Sequence, residues 1–158
     1  MKKIILCILM AMLVFQTAAC AEQSVPLGDN GSVGYYRAET IDWVQKELSR
    51  NKRKDVVIFQ HFPVVYPEGS ESSVKTHKTY KVEAYQDAIE NYHNLLAIIS
   101  GHFHVNSETM KNGVYHISSP SLLALPHTYK VIDIITTKDF SPIIYTQLRE
   151  VEVNDSSI

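Results

Sequence analysis

Cysteine is nearly absent: 158 residues contain two, Cys7 and Cys20, both within the first 21 positions. From Glu22 onward no thiol occurs, which excludes a disulfide framework and a thiolate metal site in that part of the chain. Charge of one sign is also lacking. Fifteen Lys and Arg against 17 Asp and Glu leave a net charge of −2, so nothing electrostatic points to a nucleic-acid partner. No Gly-x-Ser-x-Gly elbow is present, and the serines cluster in loop-like stretches, which weakens a Ser-His-Asp hydrolase. The apolar run at 4–15 is too short to span a bilayer comfortably. No internal repeat or low-complexity segment is visible. What is left to carry chemistry is imidazole, carboxylate and amide, and the chain has seven histidines. With 45% hydrophobic residues, a chain of this length can build the core of one domain.

The first 21 residues read as a leader outside the fold. Lys2-Lys3 precedes the apolar run, and small residues Thr17-Ala18-Ala19-Cys20-Ala21 follow it, the order of a secretory signal. Ala19 and Ala21 form an Ala-x-Ala cleavage pattern. Alternatively, Thr17-Ala18-Ala19-Cys20 resembles a bacterial lipoprotein box with Cys20 as the lipidated residue, although threonine fits its first position poorly. A third reading is an uncleaved amphiphilic anchor. The expected location is periplasmic, extracellular or membrane-anchored. The expected division is a leader at 1–21, a domain at 22–150 and a polar tail at 151–158.

The mature part is organised around Ser100-Gly101-His102-Phe103-His104. The branched apolar run at 95–99 leads into it and reads as a buried strand. Gly101 is expected to bend the backbone so that two imidazoles at i and i+2 converge. Upstream the plan repeats: an apolar strand at 55–60, then His61, then Phe62-Pro63 to stop it. If these strands lie side by side and parallel, His61, His102 and His104 meet at the carboxyl edge of one sheet, where open α/β sheets place their ligands. Imidazole is the commonest metal-ligand side chain, so this spacing points to a metal. His77 and His93 read as exposed. His116 reads as core or as a residue behind the site, and the sequence does not place His127.

The remaining elements follow from periodicity. Residues 38–51 form a helix with Ile41, Val44 and Leu48 on one stripe, acidic residues in the first turn and basic ones towards the last. The basic run at 50–54 is a solvated helix end. Residues 64–79 form a long surface loop of the kind that walls a site. A second helix covers 80–91. Asn112-Gly113 between two strand-like runs marks a hairpin. Strands at 129–136 and 142–148 pair with each other. The fold class is therefore α/β, with a mixed sheet.

Val57-Ile58-Phe59-Gln60-His61-Phe62-Pro63, followed about forty residues on by Ile99-Ser100-Gly101-His102-Phe103-His104, resembles the last two metal-binding motifs of the calcineurin-like metallophosphoesterases. The helix Thr40-Ile41-Asp42-Trp43-Val44-Gln45-Lys46-Glu47-Leu48 and the stretch from Ser118-Ser119-Pro120 to Tyr129-Lys130-Val131-Ile132 resemble that family's flanking segments. The resemblance implies half of a layered α/β metallophosphoesterase sandwich, a mixed sheet with flanking helices. It implies two divalent metal ions (Mn, Fe or Zn) between two stacked sheets, which polarise a phosphate ester and supply the hydroxide that attacks phosphorus in line. By position, His61 and His102 bind one metal and His104 the other. The family's earlier Asp-x-His, Gly-Asp-x-x-Asp and Gly-Asn-His-Glu/Asp motifs have no match, since Gly28-Asp29-Asn30-Gly31 keeps only the Gly-Asp start. Three imidazoles do not hold two metals at catalytic spacing without bridging carboxylates. The expectation is therefore a phosphoester hydrolase by family, exported, truncated and inactive as a lone chain. The alternatives are a non-catalytic metal-binding or interaction module, and one half of a two-chain enzyme whose partner covers an exposed sheet face.

Overall fold

A computed structural model of the chain describes residues 6–9, 34–74, 77–136 and 141–151. The first described elements are strands β1 (Leu6–Leu9) and β2 (Gly34–Tyr35), helix α1 (Ala38–Arg50) and strand β3 (Val56–Phe59). A single turn, α2 (Glu71–Val74), strand β4 (Thr79–Tyr80) and helix α3 (Val82–Ile89) follow. The remainder is strand: β5 (Leu95–Ser100), β6 (Ser107–Lys111), β7 (Val114–Ser118), β8 (Thr128–Ile135) and β9 (Ile143–Glu150). The fold is mixed α/β, a mixed sheet with flanking helices.

The main sheet has the order β1-β3-β5-β7-β6. β1, β3, β5 and β7 are parallel, and β6 returns antiparallel beside β7. Asn112 and Gly113 close that hairpin with φ of 51° and 78°, the left-handed pair that a two-residue turn between twisted strands requires. β3 and β5 read as continuous apolar runs because both of their faces are covered. On one face Val56, Ile58, Leu95, Ile98 and Val114 pack against Val44 and Leu48 of α1 and Val82, Tyr85 and Ile89 of α3. On the other, Val57, Ala97, Ile99 and Ile117 pack against Ile132, Ile134 and Ile144 of the β8–β9 ribbon. The layers are helices, sheet and ribbon. The outward face of the ribbon leaves Ile135, Ile143 and Tyr145 exposed.

In two places the structure holds elements that the sequence reading does not contain. Residues 64–79 contain α2 and β4, and β4 pairs parallel with β2, Gly34 opposite Thr79. Strands of two residues carry no readable alternation. Leu6–Leu9, within the stretch read as a leader, pairs with β3 from Leu6 opposite Val56 to Leu9 opposite Phe59. An apolar run suits a strand slot beside a buried neighbour as well as it suits an export signal. Thr17 to Ala21, with both processing patterns, lies outside the described residues, as does Gly28-Asp29-Asn30-Gly31.

The ribbon is pinned to the sheet through charge. The Lys130 side chain is almost wholly enclosed, and its Nζ donates to Glu108 Oε1 at 2.9 Å. Thr146 Oγ1 donates to the same carboxylate oxygen, and the two donors hold the Glu108 carboxyl below its usual range despite partial burial. The pair is asymmetric, because about half of Glu108 still meets water. Removing the carboxylate leaves an enclosed ammonium without its counter-charge; removing the ammonium leaves a carboxylate that water can solvate. Glu108→Gln is expected to cost about 1–3 kcal/mol and Lys130→Met well under about 1 kcal/mol, as read by urea denaturation. Equal losses would contradict the asymmetry.

Candidate metal centre

The sheet ladder continues past the ends of β3 and β5. Phe59 lies opposite Ile99; beyond them the Gln60 N–H donates to Ile99 O at 3.0 Å and the Gly101 N–H to His61 O at 3.1 Å. His61 and His102 therefore leave adjacent strands in register. His102 Nδ1 stands 3.2 Å from His61 Nε2, with the rings nearly perpendicular at 75° and 5.1 Å between centroids.

The turn bends differently from the expectation. Gly101 is not left-handed; the positive φ values fall on His102 (71°) and His104 (57°). Histidine enters this region more readily than most side chains, yet each such residue costs about 1 kcal/mol or more. The bend thus sits on the two residues predicted to carry the chemistry. A Cβ at Gly101 would meet nothing within 4 Å, so that glycine is not required sterically.

Aromatic rings enclose His102. Phe62, Phe103 and His77 lie 4.5, 4.9 and 5.6 Å away between centroids, all edge-on. His102 is buried, and its Nε2 has no hydrogen-bond partner among the described residues. Burial first, and then the neighbouring His61, push its pKa down to about 4, partly offset by the His77 backbone facing the ring. The His61 pKa is lowered too, by partial burial and then by His104, although the residue as a whole is exposed. Both rings are thus held as neutral imidazoles at neutral pH, the form that accepts a metal.

The other histidines separate cleanly. His104 is exposed at the mouth of the turn, near enough to depress the other two electrostatically. His77, read as exposed, is instead half-buried against His102. Its Nδ1 lies 3.2 Å from Ser73 O, a carbonyl that can only accept, so Nδ1 donates there. Only the packing of α2 brings it there, and nothing in the residue pattern signals this. His116 is half-buried in β7, where burial and then Lys111 push its pKa to about 4. His93 is exposed, and His127 bonds through Nδ1 to Leu122 O at 2.8 Å.

These residues fit part of a metal site. Two nitrogens on one ion, each about 2.0–2.1 Å away, stand roughly 2.8–3.4 Å apart across octahedral to tetrahedral angles. The His61–His102 separation falls inside that span, and in the metal-free protein the same spacing serves an N–H···N hydrogen bond. Among the described residues, no group of three or more His, Cys, Asp or Glu forms a ready metal cage. The pair has the spacing of two ligands of one ion, and the described residues do not complete a metal site.

No protein-family profile and no curated protein matches the chain. Among solved structures it is similar to a dimetal phosphatase from Danio rerio, with a TM-score of 0.58 and 18% identity over 73% of this chain and 36% of that one. The chain thus spans about a third of the length of that structure. At this identity the likeness shows the fold alone, a phosphoesterase-like one.

Proposed function

We propose that the chain carries the last two metal-binding motifs of a metal-dependent phosphoester hydrolase, with His61 and His102 on one divalent ion and His104 on a second. The observation that supports this most is the His61–His102 contact of 3.2 Å at the carboxyl edge of two parallel strands. The similarity to a dimetal phosphatase gives that edge its chemical context. A bound divalent ion supplies charge for the phosphoryl oxygens of an ester. The chain's own part is to present neutral imidazoles, to fix the His102 ring between Phe62 and Phe103, and to keep water from its inner side. His104, in solvent, is free to meet a second ion or the substrate's anionic group.

These 158 residues hold none of the aspartate motifs that bridge two metals in the resembled family. The lone chain is therefore read as nearly inert, with carboxylates to come from a further segment or a partner chain. The leader pattern supports an exported location, with Cys20 as a candidate lipid anchor. A second reading, a non-catalytic interaction module, is favoured by the exposed Ile135, Ile143 and Tyr145 on the ribbon.

The test is hydrolysis of a chromogenic phosphodiester by the full chain with added manganese, beside His102→Ala, with manganese binding measured on the same samples. The expected result is binding that His102→Ala abolishes and turnover no higher than in that control. Turnover that disappears in the control would show that the site is completed and would overturn the inert reading. Absence of binding would leave the interaction module.

A further inference from the structure

Beneath the histidine pair lies a buried polar group that the proposed chemistry does not use. Tyr36 and Tyr85 are essentially inaccessible, and their rings stack at 4.4 Å and 13°. Tyr85 Oη donates to Gln60 Oε1 at 3.1 Å. Gln60 Nε2 donates to Tyr36 Oη at 2.7 Å and to Phe62 O at 2.6 Å, and Tyr36 Oη donates to Phe62 O at 2.7 Å. Burial raises the pKa of both phenols, so both remain donors.

A core position filled for stability alone takes phenylalanine and leucine, because buried polar atoms stabilise little even when fully satisfied. What such a network contributes is one fixed geometry. Here the geometry concerns the site. Gln60 directly precedes His61, and the carbonyl that accepts two of the bonds directly follows it. The backbone of the same segment reaches the other loop: the Tyr36 N–H donates to Tyr80 O at 3.2 Å and the Gly34 N–H to Lys78 O at 2.9 Å, one residue past His77. The two segments that flank His102 are therefore fastened to one buried point.

We propose that Tyr36, Gln60 and Tyr85 form a positioning hub that sets the His61–His102 geometry. Its use in metal binding rests on the reading above, whereas its existence does not. The test has two arms on the full chain. In the metal-free protein, imidazole NMR on 15N-histidine-labelled samples reads the ring tautomers and the His61–His102 ring contact. In a cobalt(II) titration, the visible absorption of the bound ion reads affinity and ligand geometry. Gln60→Met removes every side-chain bond that Gln60 makes to the hub while keeping most of its volume. It is expected to erase the ring contact and to weaken cobalt binding about 10–100-fold in protein that is still folded by circular dichroism. Tyr36→Phe, which spares the Gln60–Phe62 bond, is expected to weaken binding several-fold. Should Gln60→Met fail to fold, Tyr85→Phe, which removes only the outer bond, is read in the same way for a smaller shift in ring contact and affinity. A folded variant with unchanged ring contact and unchanged cobalt affinity would overturn the hub. Wild-type protein that shows the ring contact but binds no cobalt would overturn the metal reading, and the NMR arm would still decide the hub.

Discussion

Replacing His102 with alanine is expected to lower divalent-metal affinity at least about 100-fold, and His61→Ala to do the same. Each change removes one of two nitrogens that the fold holds 3.2 Å apart, the spacing the proposed ion requires. The double variant should lose little more than either single one, because one remaining ligand in a two-ligand site holds almost nothing. His104→Ala should cost less, since that ring is solvated. Acidity gives an independent check. A ligand must be neutral, and burial keeps the His102 pKa near 4 instead of the usual 6.5. Proton competition at that ring therefore starts only as the pH approaches the lowered value. Because both shifts are downward, affinity measured by calorimetry should fall away at a lower pH than for a pair of ordinary histidines, and be lost as the pH nears about 4. A loss already complete at pH 6 would mean that both rings titrate as exposed histidines, and would contradict the geometry.

Gly34→Ala is the second large effect, and it acts on the same site from outside. A Cβ at residue 34 would stand 2.6–2.8 Å from three ring atoms of Phe62, closer than carbon atoms approach. The ring has no easy retreat. It lies edge-on to His61 at 4.9 Å and to His102 at 4.5 Å, and its own carbonyl is held by Tyr36 and Gln60. Overpacking of this kind costs about 1–3 kcal/mol, which for a domain of this size lowers Tm by roughly 5–10 °C. Relief should come from the partner: Gly34→Ala combined with Phe62→Leu is expected to be more stable than Gly34→Ala alone. A calorimetric Tm for the single variant within a degree of the parent would refute the close approach.

The parts of this fold that could be read from residues share one property: their pattern is longer than a turn. The helix with Val44 and Leu48 on one stripe, the buried runs of β3 and β5, and the Asn112-Gly113 hairpin each carry their own signal, and each lies within a residue or two of its expected place. The pairing of β3 with β5, which sets His61 against His102, follows from two similar strand-to-loop junctions. What could not be read is what tertiary packing decides. β2 and β4 are two residues each and exist only as a pair. His77 reaches His102 because the turn of α2 is seated behind it, and a histidine in a Ser- and Lys-rich stretch has no feature that announces this. Residue type points to Gly101 for the backbone bend, whereas the fold places it on His102 and His104. Gln60 and Tyr36 looked like a strand end and a loop residue, and only the third dimension joins them.

Under the export proposed above, the pairing of Leu6–Leu9 with β3 would make two processes claim the same residues. A segment engaged by a translocation channel is not available to a sheet, and a chain cut after residue 21 leaves that strand behind. β3, which leads into His61, would then stand at the rim of its sheet with a row of unanswered amides and carbonyls. That row is a socket for four extended residues from any donor, whether its own leader, a second copy or another protein. If the proposed leader is cut away, maturation becomes a question of which peptide takes the place of that strand.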